Sequence, residues 1–216
     1  MLERVTWFKQ SGYRWAGDDL TVYIDPVEVP EGQTPADVIF ITHAHFDHFQ
    51  QDDIEKLRKP DTAFVAPRDV ADELTGVVKA VTPGDADEVR GIGFQAVPAY
   101  NTVEGREQSH PQGSGWVGYV IDLGDHSYYH AGDTDHLPEL EKVRAHVTFL
   151  PIGGGAFTMD GTEAAGLAKA ISPEIAVPMH FGFVDGCQGE GETEKFRREA
   201  DPVRVEVLTP QVPFAF

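Results

Sequence analysis

The stretch Asp37-Val38-Ile39-Phe40-Ile41-Thr42-His43-Ala44-His45-Phe46-Asp47-His48 decides how this chain is read. Val38 to Ile41 is an unbroken run of β-branched and aromatic side chains, the pattern of a strand buried on both faces. It delivers the chain into three imidazoles and one carboxylate, His43 to His48, so the cluster is expected in a loop at a strand's C-terminal end. Neutral imidazole is the commonest side-chain metal ligand, and carboxylate oxygen suits the same divalent ions. The pattern His-x-His-x-Asp-His therefore offers up to four ligands to zinc, manganese or iron. Side chains alternate along an extended segment, so His43 and His45 point to one side and can chelate one ion. Asp47 and His48, past the bend, can face a second. A chance cluster of surface histidines explains this poorly, since the whole chain holds only 9 histidines.

Upstream of the stretch, Val5 to Phe8, Tyr13 to Ala16 and Leu20 to Ile24 read as a meander of short strands, the last stopped by Pro26. Downstream, a helix is expected over Asp52 to Lys59, a strand over Ala63 to Ala66 and a second helix over Asp69 to Leu74, closed by Gly76. The pattern then repeats. Phe94 to Val97 is strand-like, and a hairpin runs from Trp116 to Leu123 and Tyr128 to Tyr129 around Gly124-Asp125. Buried-type strands over Val147 to Leu150 and Ile175 to Val177 flank a helix over Thr162 to Ile171, where Ala164, Leu167, Ala168 and Ile171 share one face. A last helix over Glu194 to Ala200 leads to a final strand over Val203 to Leu208. Between Pro98 and Gly115 lies a Pro-, Gly- and Gln-rich loop whose length inside a compact domain marks it as functional. A meander followed by alternating strands and helices, twice over, predicts two packed sheets with helices outside.

Composition narrows the partners. The chain has 216 residues, room for a single domain spanning 1–216, and 41% hydrophobic residues, which excludes disorder. Its net charge of −19 repels phosphate backbones and anionic headgroups, so nucleic acid and membrane surfaces are poor partners. No apolar window is long enough to span a bilayer and no leader is evident, which points to a cytoplasmic protein. One cysteine, Cys187, excludes an intramolecular disulfide. Oligomeric state is not legible.

Several segments together resemble the metallo-β-lactamase-fold hydrolase superfamily. The histidine run matches its hallmark, Ala131-Gly132-Asp133-Thr134 is similar to its later strand-end aspartate, and Val177-Pro178-Met179-His180-Phe181 to its final histidine. Tyr129 to Thr134, Leu150-Pro151-Ile152-Gly153-Gly154 and Phe157-Thr158-Met159 most resemble a small zinc-dependent hydrolase branch related to UlaG-type lactonases and the N-acylphosphatidylethanolamine phospholipase D group. The resemblance implies an α/β fold, a four-layer αββα sandwich, with two divalent ions, zinc first and manganese or iron as alternatives. It assigns His43 and His45 to the first ion, Asp47, His48 and His180 to the second, and Asp133 as the bridge. The third ligand of the first ion is open between His110, in His110-Pro111-Gln112-Gly113, and Asn101, where the related branch often has histidine. His110 is favoured because amide oxygen is a poorer zinc ligand than imidazole.

Two such ions, about 3.5–4 Å apart, share a hydroxide and polarise a carbonyl or phosphoryl oxygen, which makes hydrolysis of a small molecule the expected reaction. The candidate bonds are lactone or ester and phosphodiester, ahead of thioester. Asp47 and Asp133 are the catalytic carboxylates, and His130 is a candidate proton donor by its nearness in sequence. Asp25 is expected either to orient the metal loop or to form a turn before Pro26. The glycines at 153–155 read as a tight strand-to-helix turn that brings Phe157, Thr158 and Met159 to the pocket, with Asp160 or Thr162 capping the helix. Cys187 is read as an unremarkable thiol near the pocket. Two other classes fit the same ligands: a di-iron redox protein and a catalytically idle metal-binding module.

Overall fold

A computed structural model describes residues 1–183, 187 and 189–213 of the chain, the side chain of Glu190 excepted. The first sheet holds β1 (Val5–Lys9), β2 (Gly12–Ala16), β3 (Thr21–Ile24), β4 (Val38–Phe40), β5 (Ala63–Pro67) and β6 (Val77–Val81), side by side in that order. The second holds β7 (Ala86–Val89), β8 (Ile92–Pro98), β9 (Val117–Leu123), β10 (His126–His130), β11 (Val147–Pro151) and β12 (Ile175–Met179), again in chain order across the sheet. Each sheet begins as an antiparallel meander and continues with parallel strands. Parallel neighbours need a crossover. The helices α1 (Gln51–Leu57), α2 (Arg68–Ala71) and α3 (Gly161–Ile171) supply crossovers, and α4 (Glu190–Glu199) packs on α3. This is the α/β sandwich expected of the metallo-β-lactamase type.

The two faces of β4 explain its apolar run. Val38 and Phe40 join the core between the sheets, where the Phe40 ring lies 5.5 Å from Phe94 and 5.1 Å from Tyr119 of the second sheet. Ile39 and Ile41 turn the other way and pack with Ile54 and Leu57 of α1 and Val70 of α2. β5 alternates likewise, Val65 inward and Phe64 outward. Each such side chain contributes about 1.5–3 kcal/mol on burial, so the strand carrying the histidine loop is fixed from both sides. Two hydrogen bonds lock the sheets together beside that loop: Tyr119 Oη donates to Ile41 O at 2.9 Å and Val117 N to Thr42 O at 3.2 Å.

Four sequence expectations need correction. α2 is a short turn of helix ending at Ala71, not Leu74. β6 and β7 were not expected as strands. The segment Val203 to Leu208 is no strand: it meets β12 through a single bridge, Ala176 to Val205. The helix expected from Glu194 starts earlier, at Glu190. The N-cap of α3 is Asp160, whose carboxylate accepts from Thr162 N at 2.8 Å and Glu163 N at 2.9 Å while Glu163 returns a bond to Asp160 N. Asp160→Ala is expected to cost about 1–2 kcal/mol, read as a lowered denaturant midpoint at unchanged slope.

Candidate metal centre

The C-terminal ends of β1, β3, β4, β8, β10 and β12 lie along one edge of the sandwich, and the chemistry-bearing residues collect there. Among the described residues, three groups of ligand atoms lie within 4.8 Å of one another: His43, His45 and His110; His43, His48 and Asp133; Asp47, His48 and His180. The structure thus brings together every metal-ligand candidate named from the sequence. His110 joins His43 and His45 in the first of these groups. Asp133 sits centrally, one carboxylate oxygen 3.2 Å from His110 Nε2 and 2.8 Å from His180 Nε2.

Local structure aims these side chains. The Asp25 carboxylate accepts from Thr42 N at 2.8 Å, from Thr42 Oγ1 at 2.6 Å and from His48 Nδ1 at 2.7 Å. With Nδ1–H held by Asp25, the Nε2 of His48 is the atom turned toward the cluster and available to a metal, the usual way a carboxylate orients a ligating histidine. Asp25 therefore takes the orienting role. Gln10, which no motif marks, is fully buried at the β1–β2 turn and donates from Nε2 to Asp47 Oδ2 at 2.8 Å. Its backbone carbonyl accepts from His180 N at 3.2 Å, so one residue steadies both Asp47 and His180. Gln10, Asp25 and His180 have φ of 51°, 44° and 55°, half of the six non-glycine residues in this strained region among the described residues. Such strain persists where surrounding bonds over-determine it.

The loop from Pro98 to Gly115 is tied down rather than open. Asp135 accepts from Thr102 N and Val103 N, and Arg106 bonds Asp135, Glu163 and the carbonyl of Gly155. Asn101 is buried, its Nδ2 bonded to Arg106 O and Phe157 O and 3.0 Å from His110 Nδ1. It braces the loop that presents His110. Trp116 caps the same corner, its rings 5.0 Å from His43 and 4.8 Å from His45. Gly153 permits the close approach of the turn after β11, since a Cβ there would lie 3.0 Å from His180 Nδ1 and closer still to its carbonyl oxygen.

His130 is placed apart from the cleft. It is fully buried, with Nε2 bonded to Ser11 O at 2.9 Å and Nδ1 accepting from Gly132 N at 3.3 Å. Burial lowers its pKa, which suits a neutral ring supporting the turn before Asp133. Thr158 and Met159 are buried, whereas Phe157 reaches the cleft. Cys187 Sγ lies 3.7 Å from His180 Nδ1; its neighbours 184–186 and 188 fall outside the described residues.

Electrostatics and unsatisfied atoms both fit a cation. Burial and the neighbouring His48 hold His43 well below the ordinary imidazole value, and burial and His110 lower His45. Burial opposes charge on His48 and His180 too, but Asp133 and Asp47 outweigh it, lifting His48 to about 10 and His180 well above the usual value. The same pairings overcome burial at Asp133 and Asp47 and depress both carboxyls. Protons are thus doing what a divalent ion would do here. His43 Nε2, His48 Nε2, His110 Nε2 and Asp133 Oδ1 are all buried and make no hydrogen bond of ordinary geometry, facing only one another at ion-pair distance. Unpaired buried donors and acceptors are costly, and these four are of the atom types that bind divalent ions.

Five of the ligand candidates line a cleft of about 280 Å³. His45, Asp47, His110, Asp133 and His180 face it, and Phe46, Gln108, Ser109 and Phe157 form its walls.

Fold and centre together define a metallo-hydrolase class. A family model for the beta-lactamase superfamily domain matches residues 4–180. The chain belongs to the metallo-β-lactamase superfamily, as a metal-dependent hydrolase. It is 31% identical over 221 aligned positions to a metal-dependent hydrolase of Methanopyrus kandleri, covering 94% of each chain. Among solved structures it is similar to a candidate metal-dependent hydrolase from Parabacteroides distasonis, with TM-score 0.86, 29% identity, and 96% of this chain and 93% of that one covered. It is also similar to Igni18, a metallo hydrolase from Ignicoccus hospitalis, with TM-score 0.78, 25% identity, and 95% and 94% covered.

His110→Ala is expected to lower the metal content of the purified protein while Asn101→Ala keeps it, as read by plasma mass spectrometry. The reverse pattern would refute His110 as the ligand.

Proposed function

We propose that the protein is a dinuclear hydrolase of small molecules, cleaving a lactone or ester bond or a phosphodiester. The observation that carries this reading is the convergence of seven His and Asp side chains on one another, five of which line a single cleft. His43, His45 and His110 would hold one ion, Asp47, His48 and His180 the other, with Asp133 shared between them. Zinc suits this set best, and manganese or iron fit the same donors. When bound, the ions supply Lewis acidity toward a carbonyl or phosphoryl oxygen and acidify a water toward neutral pH.

The chain's own residues do the rest. Asp25 and Thr42 fix the tautomers of His48 and His43, Thr42 Oγ1 lying 2.9 Å from His43 Nδ1. Gln10 holds Asp47, and Asn101 braces the His110 loop. Asp47 and Asp133 are the carboxylates at hand to take up the proton a water sheds. The lactonase and phosphodiesterase relatives that the sequence resembles motivate the two bond types. A small molecule suits the cleft, and no helix among the described residues is long and apolar enough to cross a membrane.

The test is initial rates on a lactone, an aryl ester, a thioester and a bis-aryl phosphodiester, with protein reconstituted with Zn²⁺ or Mn²⁺ and chelator-treated controls. Chelator-sensitive turnover of the lactone, ester or phosphodiester is expected. Silence across the panel with metal bound would count for the idle module.

A further inference from the structure

The walls of the cleft say more about the substrate than its floor does. The residues that line the cleft include no Lys or Arg. Of the nearby cations, Lys9 lies over the Phe183 ring, its Nζ 4.7 Å from the ring centre, and Arg106 sits in the loop that presents His110. The Arg106 guanidinium is bonded to Asp135, Glu163 and the carbonyl of Gly155, so it has no charge to spare for a ligand. A substrate bearing an anionic group away from the scissile bond would meet no counter-charge here and a chain of net charge −19 around it. Enzymes that grip phosphate or carboxylate do so with Arg, Lys or a helix N-terminus aimed at it.

What the walls offer instead is aromatic surface. Phe46, between two ligand candidates, is 64% exposed, the largest exposure given for a big apolar side chain among the described residues. Phe157 is half-buried and lines the same cleft. Holding a phenylalanine open to water beside a small cleft leaves apolar area that a bound apolar group can cover.

We propose that the cleft selects an uncharged carboxylic ester or lactone whose apolar acyl arm lies against Phe46 and Phe157. This rests on the hydrolase reading and chooses the acyl bond over the phosphodiester within it. In the reaction, a water oxygen bonds to the acyl carbon, the bond from that carbon to the alkoxy oxygen breaks, and one water proton passes to the departing alkoxide. The acid formed loses its own proton at neutral pH. An uncharged substrate is thus turned into an anion that the acidic surroundings drive out.

Two measurements on zinc-loaded protein test this. The first reads binding without turnover: acetamide and hexanamide titrated by ligand-observed NMR. Hexanamide is expected to bind about tenfold more tightly, from partial burial of four methylenes, and Phe46→Ala and Phe157→Ala should each shrink that ratio while leaving metal content unchanged. Equal binding, or a ratio that survives both substitutions, overturns the proposal. The second reads kcat/KM on p-nitrophenyl acetate, butanoate and hexanoate, on mono-p-nitrophenyl succinate, and on bis-p-nitrophenyl phosphate. Rates should rise with acyl length and fall at least about tenfold when butanoate becomes succinate, and Phe46→Arg should narrow that gap. Preference for the phosphodiester or the succinate overturns the proposal and leaves the hydrolase reading standing. Length-dependent amide binding with no turnover of any ester supports the ligand class and counts against the hydrolase reading.

Discussion

Asp133→Ala is expected to abolish metal-dependent turnover, lowering kcat/KM by about a thousandfold or more, with metal content falling in the same sample. The expectation follows from its position. Among the described residues Asp133 is the carboxylate that approaches histidines of both proposed ion sites, with His110 on one side and His180 on the other. Its removal takes away the shared anion and leaves the facing imidazoles to repel one another. About 4 kcal/mol of lost transition-state stabilisation corresponds to that factor. Full activity in a folded Asp133→Ala protein, confirmed by circular dichroism, would rule out the proposed arrangement.

Stripping the metal is expected to lower the melting temperature by roughly 8–16 °C, taking about 4 kcal/mol from ions supplied well above their dissociation constants and 2–4 °C per kcal/mol for a chain of this size. The loss should depend on pH, with a sign that the histidines set. In metal-free protein the folded pKa values of His48 and His180 are raised. Their contribution to stability is therefore complete below the unfolded value of 6.5 and disappears as pH rises through the folded value, about 10 for His48. Asp47 and Asp133 are depressed, so their contribution is present above 3.8 and is lost as pH falls below it. Metal-loaded protein does not rely on those imidazolium protons. The gap in melting temperature between loaded and chelated samples should widen from pH 7 toward pH 10, as differential scanning calorimetry would read directly. A gap constant over that range would show that the protons on His48 and His180 do not substitute for the ions.

The sequence disclosed most of the centre because its ligands come in short, dense signals. His43 to His48 sit in six consecutive positions after a two-faced apolar strand, and Asp133 and His180 each follow the end of a strand. His110 was favoured over Asn101 on ligand chemistry, and a ring nitrogen of it lies within 4.8 Å of ligand atoms of His43 and His45. What stayed hidden depends on long-range geometry. Gln10 lies 37 residues from the Asp47 it holds, and nothing in Lys9-Gln10-Ser11 marks a buried amide. The roles open for Asp25 were resolved only by its bonds to Thr42 and His48. β6 and β7 escaped notice for a different reason. As sheet-edge strands they are largely exposed, and Ala86-Asp87-Glu88-Val89 shows almost no apolar alternation to read. Val203 to Leu208 misled in the opposite sense: its alternating apolar residues pack beside β12, but the backbone joins it at one bridge only.

Ligand candidates reach the centre from both sheets, His43, His45, Asp47 and His48 from the first and His110, Asp133 and His180 from the second. Ions held there would act as a reversible cross-link between two halves of similar layout. A disulfide cross-link answers to redox poise, whereas this one answers to free metal and proton concentration. The cooperativity of unfolding thus becomes a property of the metal supply, with the halves opening as one body when loaded and with more independence when starved.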